Sequence, residues 1–183
     1  MTNSFKIAIL GDSGVGKTTF LTRLITNQFV RTYQPTIGKE TRTLKVNCSG
    51  KDIEFECVDY SGQEKCKLIT FDDDISGCII MFSVTSRISY KNLNFWKSKI
   101  GNKNIPIVVC GNNACEKDRI VKPDDIDYHR INKLQYYDIS VKSVYQLEKP
   151  FIYLAKKLLE TKIHTCVCPC GNQEIVTAGT FVC

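Results

Sequence analysis

The sequence lacks any run of about 18 consecutive apolar residues, the length that a membrane-spanning helix requires. Its first residues, MTNSFKIAIL, have neither a basic segment nor a cleavable apolar segment, so we expect no secretory signal. Internal repeats and low-complexity stretches are also missing, and 183 residues leave little room for two full domains. With 43% apolar and 10% aromatic residues, a disordered chain is excluded. The composition therefore predicts one globular domain with one proper core.

Cysteine is the unusual feature of the composition, with ten residues in the chain. Without a secretory signal, this number does not indicate disulfides. Six cysteines are scattered, mostly inside apolar runs, where a free thiol packs as a small hydrophobic group. These six are Cys48, Cys57, Cys66, Cys78, Cys110 and Cys115. The other four crowd into the last 18 residues and are Cys166, Cys168, Cys170 and Cys183.

The net charge of +6 lies in residues 1–160, because Lys162 and Glu174 cancel in the remainder. A basic excess of this size attracts an acidic protein, a membrane surface or nucleic acid, or it is simply a solvated surface. We favour the solvated surface and expect no direct binding of nucleic acid, since net charge governs association rather than fold.

Apolar runs alternate along the chain with segments of helical spacing. The predicted strands cover 5–10, 41–48, 52–59, 78–84, 105–110 and 136–140. The predicted helices cover 17–26, 89–100, 123–133 and 148–161. This order indicates an α/β fold with a six-stranded, mostly parallel sheet, one antiparallel edge strand and helices on both faces. Ligands of such sheets bind beyond the carboxyl ends of the strands, so the loops after Leu10, Asp59, Cys110 and Ser140 are the expected site.

The first of these loops, GDSGVGKT, matches the phosphate-loop pattern G-x-x-x-x-G-K-[ST]. Its glycines allow backbone N–H groups to turn towards phosphate oxygens, and the following helix directs its positive end at the anion. We expect Lys17 to reach the β and γ phosphates and the Thr18 hydroxyl to bind Mg²⁺. The alternative, a turn that binds nothing, is disfavoured because the motif follows a strand and opens a helix. The predicted binding residues here are Gly11, Asp12, Ser13, Gly14, Val15, Gly16, Lys17, Thr18 and Thr19.

The phosphate loop is followed, in order, by YQPTIG, DYSGQEK, a GNN loop and DISVKS. This series resembles the small GTPases of the Ras superfamily over residues 5–160. Within the superfamily, the stretches IIMFSVTSRISYKN, NIPIVVCGN, LQYYDISVKS and EKPFIYLAKKLL are most similar to the Ran subfamily. The resemblance implies a P-loop GTPase fold, binding of GTP or GDP with Mg²⁺, and slow hydrolysis of GTP to GDP and phosphate. It also implies a switch function, with nucleocytoplasmic transport as the Ran-like role.

The resemblance also implies roles for single residues. Thr36 and Asp59 would join Thr18 as the Mg²⁺ ligands, and Thr36 would also sense the γ-phosphate. Gly62 would donate its N–H to the γ-phosphate, and Gln63 would orient the attacking water. The implied catalytic residues are Gln63, Lys17 and Thr36. The implied nucleotide contacts beyond the phosphate loop are Phe29, Tyr33, Thr36, Asp59, Gly62, Asn112, Asn113, Cys115, Ser140, Val141 and Lys142. Taken singly, Thr36 would be only a turn residue, Asp59 a strand cap and Phe29 a core residue.

The base-reading element departs from the superfamily pattern. Its N-K-x-D is replaced by NNAC, which ends at Cys115, and a neutral thiol is a weak acceptor. Each charged hydrogen bond lost costs about 1.5–3 kcal/mol, so we expect weakened guanine selectivity. Glu116 or Asp118 would substitute only if the loop shifts its register. The alternative function is therefore a Ran-like decoy or scaffold that holds nucleotide weakly and binds protein partners.

We expect a GTPase domain over 1–162 and a Cys-rich tail over 163–183. For the tail, weak Zn²⁺ binding by its cysteines, lipidation at Cys183 and a flexible segment all stay open. The expected partners are protein effectors and regulators bound through the switch regions, and importin-like receptors if the chain is Ran-like. We expect a monomer in the cytoplasm or nucleus, without membrane contact unless Cys183 is lipidated.

Overall fold

The computed structural model describes residues 3–29, 35–48, 50–62 and 72–165, and it gives the backbone alone for 162–165. The strands of this part are β1 (Asn3–Leu10), β2 (Lys39–Cys48), β3 (Lys51–Tyr60), β4 (Ile75–Ser83), β5 (Ile107–Asn112) and β6 (Gln135–Asp138). The helices are α1 (Lys17–Thr26), α2 (Arg87–Lys91), α3 (Leu93–Ile100), α4 (Tyr128–Ile131) and α5 (Lys149–Thr165). A 3₁₀ turn covers Pro123–Asp125.

The strands form one sheet in the order β2-β3-β1-β4-β5-β6. Among the strands of the described residues, only the β2–β3 pair is antiparallel, because a hairpin joins these two strands at the edge of the sheet. The central strands β1 and β4 are continuous apolar runs, since parallel strands are buried on both faces. The predicted fold class is confirmed.

Two clusters of apolar side chains cover the opposite faces of the sheet. On one face, Phe20 of α1 stacks on Phe151 of α5 with ring centroids 5.8 Å apart. Phe151 also contacts Phe55 of β3 at 5.5 Å. On the other face, α3 inserts Leu93 and Trp96 into the core, where both are fully buried. Helices therefore lie on both faces, as predicted.

The prediction that scattered cysteines act as small hydrophobic residues is confirmed at four positions, Cys48, Cys57, Cys78 and Cys110, all of which are buried. Burial raises the pKa of the Cys57 thiol to about 12 and raises the pKa of the other two central thiols, Cys78 and Cys110, as well. These groups are neutral at ordinary pH. Cys66 lies outside the described residues.

The predicted helix over 89–100 is interrupted. Asn92 lies between α2 and α3 with φ −79° and ψ 0°, outside the α-helical range. The first helix begins before the predicted start, because the Ser86 side chain caps it by accepting the N–H of Ser89. The apolar spacing was correct, but the cap and the break depend on backbone conformation.

The predicted helix over 123–133 is wrong, since only the 3₁₀ turn and the four residues of α4 are helical there. A distant side chain explains the difference. The Tyr90 hydroxyl accepts the N–H groups of Asp127 and Tyr128 at 3.0 and 3.1 Å. This contact satisfies two backbone N–H groups at the start of α4. In a continuous helix the same N–H groups would donate to backbone carbonyls of the preceding turn.

The last helix, α5, runs to Thr165 and thus beyond the end predicted at residue 161. It also passes residue 163, where the tail is predicted to begin. The boundary between domain and tail stays a prediction. Among the described residues, no helix is both long and apolar enough to cross a bilayer.

The aromatic cluster gives a test of the fold. Phe55→Ala leaves a cavity between Phe5 and Phe151, and we expect it to lower the free energy of unfolding by about 3–5 kcal/mol. Urea denaturation followed by circular dichroism measures this loss. The control Ile88→Ala, at a side chain that is 71% exposed, is expected to change stability by less than about 0.5 kcal/mol. Equal losses in the two variants would contradict the packing described.

Candidate functional site

A cleft of about 890 Å³ opens at the carboxyl ends of the strands, where the predicted loops meet. The predicted residues that line it are Ser13, Gly14, Gly16, Lys17, Thr18, Thr19, Phe29, Thr36, Gly62, Asn112, Asn113, Val141 and Lys142. Five further lining residues were not predicted as contacts, namely Thr22, Arg42, Thr85, Glu116 and Asp118. Predicted residues that do not line the cleft are Gly11, Asp12, Val15, Asp59, Cys115 and Ser140. Tyr33 and Gln63 lie outside the described residues.

The loop between β1 and α1 has the backbone that a phosphate loop requires. Gly14 and Gly16 adopt positive φ angles of 76° and 97°. A side chain at Gly16 would also collide with the amide of Asn112. That amide donates to the carbonyl of Val15 at 2.9 Å, and its oxygen accepts the N–H of Val141 at 3.1 Å. Asn112 therefore joins the phosphate loop to the loop that follows β6.

Lys17 is a buried cation at the centre of this loop, with an exposed fraction of 6%. Its Nζ donates to the carbonyls of Gly11 and Asp12 at 2.7 and 2.8 Å. Burial lowers the pKa of Lys17 to about 8, although the nearby Asp59 and Asp12 carboxylates oppose this shift. A phosphate anion in the cleft would compensate for the lost hydration of the ammonium.

The three residues predicted to bind Mg²⁺ lie together. The Thr18 hydroxyl donates to Asp59 Oδ2 at 2.5 Å and lies 2.9 Å from the Thr36 hydroxyl. Asp59 is completely buried, and its Oδ1 has no hydrogen-bond partner among the described residues. Burial raises the pKa of this carboxyl, against the opposing effects of the Thr18 hydrogen bond and the Lys17 charge. One carboxylate and two hydroxyls are hard oxygen donors, so this set fits Mg²⁺.

The segment after β3 lies directly on the phosphate loop. The carbonyl of Gly62 accepts the N–H of Ser13 at 3.0 Å, and Ser61 donates to the carbonyl of Gly38 at 2.9 Å. A side chain at Gly62 would collide with the backbone of Asp12 and Ser13. Only glycine allows this close approach, which sets the starting position of the segment that carries Gln63.

The lining of the cleft also includes Phe29, Asn113, Val141 and Lys142. Cys115 is exposed and lies outside this lining, and its Sγ accepts the hydroxyl of Ser143 at 3.2 Å. The two carboxylates of the same loop, Glu116 and Asp118, line the cleft instead.

Sequence reasoning treated Asp12 as a ligand contact, but its carboxylate points towards α3. It accepts the indole N–H of Trp96 at 2.6 Å and the side-chain amide of Asn92 at 2.8 Å. The partners are 80 and 84 residues away in the chain, so no local pattern predicted them. The phosphate loop is therefore held to α3 by a charged hydrogen-bond pair.

A second long-range anchor holds the loop after β5. Arg119 donates to both oxygens of Asp138 in β6, at 2.9 and 3.2 Å, and Tyr136 also donates to this carboxylate. Bidentate pairs of this kind fix geometry as well as charge. The anchor restrains the segment that contains Glu116 and Asp118.

The four cysteines of the tail, which are the proposed zinc ligands, lie outside the described residues. Within residues 3–29, 35–48, 50–62 and 72–165, no group of three or more His, Cys, Asp or Glu side chains is arranged to hold a metal ion.

Comparison with models of protein families matches residues 6–160 to the Ras family. The matched region begins in β1 and ends in α5, so it includes every loop that forms the cleft.

The buried lysine makes ligand affinity depend on pH. An anion binds the protonated form of Lys17, whose pKa in the free protein is about 8, so affinity is constant below that pH and falls above it. We expect the dissociation constant of Mg²⁺-GDP to rise about threefold to fourfold between about pH 7 and about pH 8.5. Isothermal titration measures it, and the exposed Lys45→Met is expected to keep the same profile. A profile without this rise would contradict the assignment.

The Asp12 anchor gives a kinetic test. Trp96→Phe keeps an aromatic ring but removes the indole N–H that holds Asp12, and we expect GDP to dissociate roughly tenfold faster. Stopped-flow release of a fluorescent GDP analogue measures the rate. Phe95→Leu, at the half-exposed neighbour, is the control and is expected to leave the rate unchanged. Unaltered release from Trp96→Phe, with thermal stability retained, would show that the anchor does not restrain the loop.

Proposed function

The chain belongs to the Ras family of small GTPases, whose domain binds GTP and GDP with Mg²⁺ and acts as a switch, and on that premise we propose a Ran-like switch that slowly hydrolyses GTP. The observation that carries this proposal is that Lys17, Thr18 and Thr36 line one cleft and that the buried Asp59 accepts a hydrogen bond from Thr18 directly behind them. These groups provide a cation, a metal donor set and a loop of backbone N–H groups in a single site.

In the proposed reaction, Lys17 and the N–H groups of the phosphate loop bind the phosphates and offset their negative charge. Thr18, Thr36 and Asp59 would hold Mg²⁺, which when bound would supply positive charge that offsets the charge of the phosphates. Gln63 orients a water molecule for in-line attack on the γ-phosphate. Such positioning accounts for most of the catalysis in phosphoryl transfer.

The switch would depend on two contacts with the phosphate loop. Thr36 meets Thr18 through their hydroxyls, and Gly62 accepts the N–H of Ser13. Loss of the γ-phosphate would weaken both attachments and change the surface of the flanking segments. Ile37, next to Thr36, is 92% exposed and available to a protein partner.

The Ran-like part of the proposal concerns partners and location. It predicts binding of importin-like transport receptors in the GTP form, by a monomer in the cytoplasm or nucleus. The support is the Ran-like sequence of the second half of the chain. A pull-down with GTP-locked protein tests it, with the GDP form as the control.

A second candidate is a decoy or scaffold that binds protein partners and holds nucleotide weakly. Cys115 favours it, because an exposed thiol, which is a weak acceptor, replaces the aspartate of the superfamily motif. Such a protein would bind partners without turnover of GTP.

Turnover separates the two candidates. We expect purified protein with Mg²⁺ and GTP to release phosphate slowly, and Gln63→Leu to lower this rate roughly tenfold or more while GTP still binds. Single-turnover phosphate release and filter binding measure the two quantities. Gln135→Leu in β6, outside the cleft, is the matched control.

Binding without turnover in any variant would favour the decoy. Absence of Mg²⁺-dependent nucleotide binding would contradict the GTP-dependent switch.

A further inference from the structure

The inference concerns the residue that distinguishes guanine from other bases, and it rests on the proposed binding of GTP. The edge of guanine carries a ring N–H beside an exocyclic amine, so it presents two adjacent donors. A carboxylate meets such a pair best, because its two oxygens only accept hydrogen bonds and carry charge.

The thiol of Cys115 is poorly suited to this task. It is exposed, lies outside the lining of the cleft and already accepts a hydrogen bond from the Ser143 hydroxyl. A sulfur atom in this position offers one weak acceptor.

Glu116 lines the cleft, as do Phe29 and Val141. Its Oε1 accepts from Lys142 Nζ at 2.9 Å, and its side chain is 33% exposed. Its backbone N–H donates to the carbonyl of Asn113 at 2.9 Å, which closes a turn. Among the described residues, no donor reaches its second oxygen, Oε2. The carboxylate is therefore held by Lys142, on a backbone fixed by this turn, and has acceptor capacity left.

Asp118 is the other carboxylate of this loop that lines the cleft. It is exposed, and no ion pair or hydrogen bond of its side chain occurs within the described residues. Without a partner to hold it, this side chain would lose more conformational freedom on contact with a base. The observations thus favour Glu116.

We propose that Glu116 is the specificity-determining residue of the cleft, with its carboxylate accepting the ring N–H and the exocyclic amine of guanine. Lys142 holds the carboxylate from the opposite loop. In this proposal the acceptor role moves by one position, from Cys115 to Glu116. The loop thus keeps a carboxylate although a thiol stands at the usual acceptor position.

The test compares GDP, IDP and ADP, since hypoxanthine in IDP lacks only the exocyclic amine. We expect the unmodified chain to prefer GDP over IDP about tenfold or more. Glu116→Gln is expected to weaken GDP binding about tenfold and to bring the GDP-to-IDP ratio close to one, while ADP binding stays within about twofold. Competition against a fluorescent nucleotide measures the affinities for GDP, IDP and ADP. Cys115→Ser and Asp118→Asn, in the same loop, are the matched controls for Glu116→Gln.

The inference is overturned if Cys115→Ser or Asp118→Asn collapses the ratio and Glu116→Gln does not. It is also overturned if Glu116→Gln weakens all three nucleotides equally, since that indicates a merely structural role. An unmodified chain that binds GDP and IDP equally refutes the inference and leaves nucleotide binding intact. Failure to bind any nucleotide refutes the proposed function itself.

Discussion

The site depends on the burial of one cation. An ammonium removed from water is costly unless polar groups or charges replace its hydration, and Lys17 is surrounded by loop carbonyls with Asp59 nearby. The glycines around it permit the backbone turns that bring those carbonyls inwards. The loop thus compensates the charge of the Lys17 ammonium only in part. A phosphate anion bound in the cleft would supply the rest of the compensation.

The parallel sheet brings the remaining parts of the site to that cation. Since β1 lies between β3 and β4, the phosphate loop emerges beside Asp59 at the end of β3. Asn112 at the end of β5 then joins this loop to Val141. The carboxyl ends of parallel strands meet at one edge of the sheet, so loops that are far apart in the sequence converge there.

Most of the sheet could be predicted because a strand buried on both faces is a continuous apolar run, as β1 and β4 are. The prediction failed where distant groups decide local structure. The Tyr90 hydroxyl takes two backbone donors near Tyr128, and the helix predicted over 123–133 is short and interrupted. The Asp12 carboxylate, expected at the ligand, is taken by Trp96 for the same reason.

The sequence by itself determined the phosphate loop and the six-stranded α/β fold. A contiguous motif carries its own backbone requirements, so it can be recognised without knowledge of the fold. Only the tertiary structure decided which side chains of the loop after β5 line the cleft. Cys115 lies outside the lining, and Glu116 lies within it, where Lys142 from the loop after β6 pairs with its carboxylate. The direction of a side chain in a loop depends on such contacts with distant residues. The local sequence therefore does not predict it.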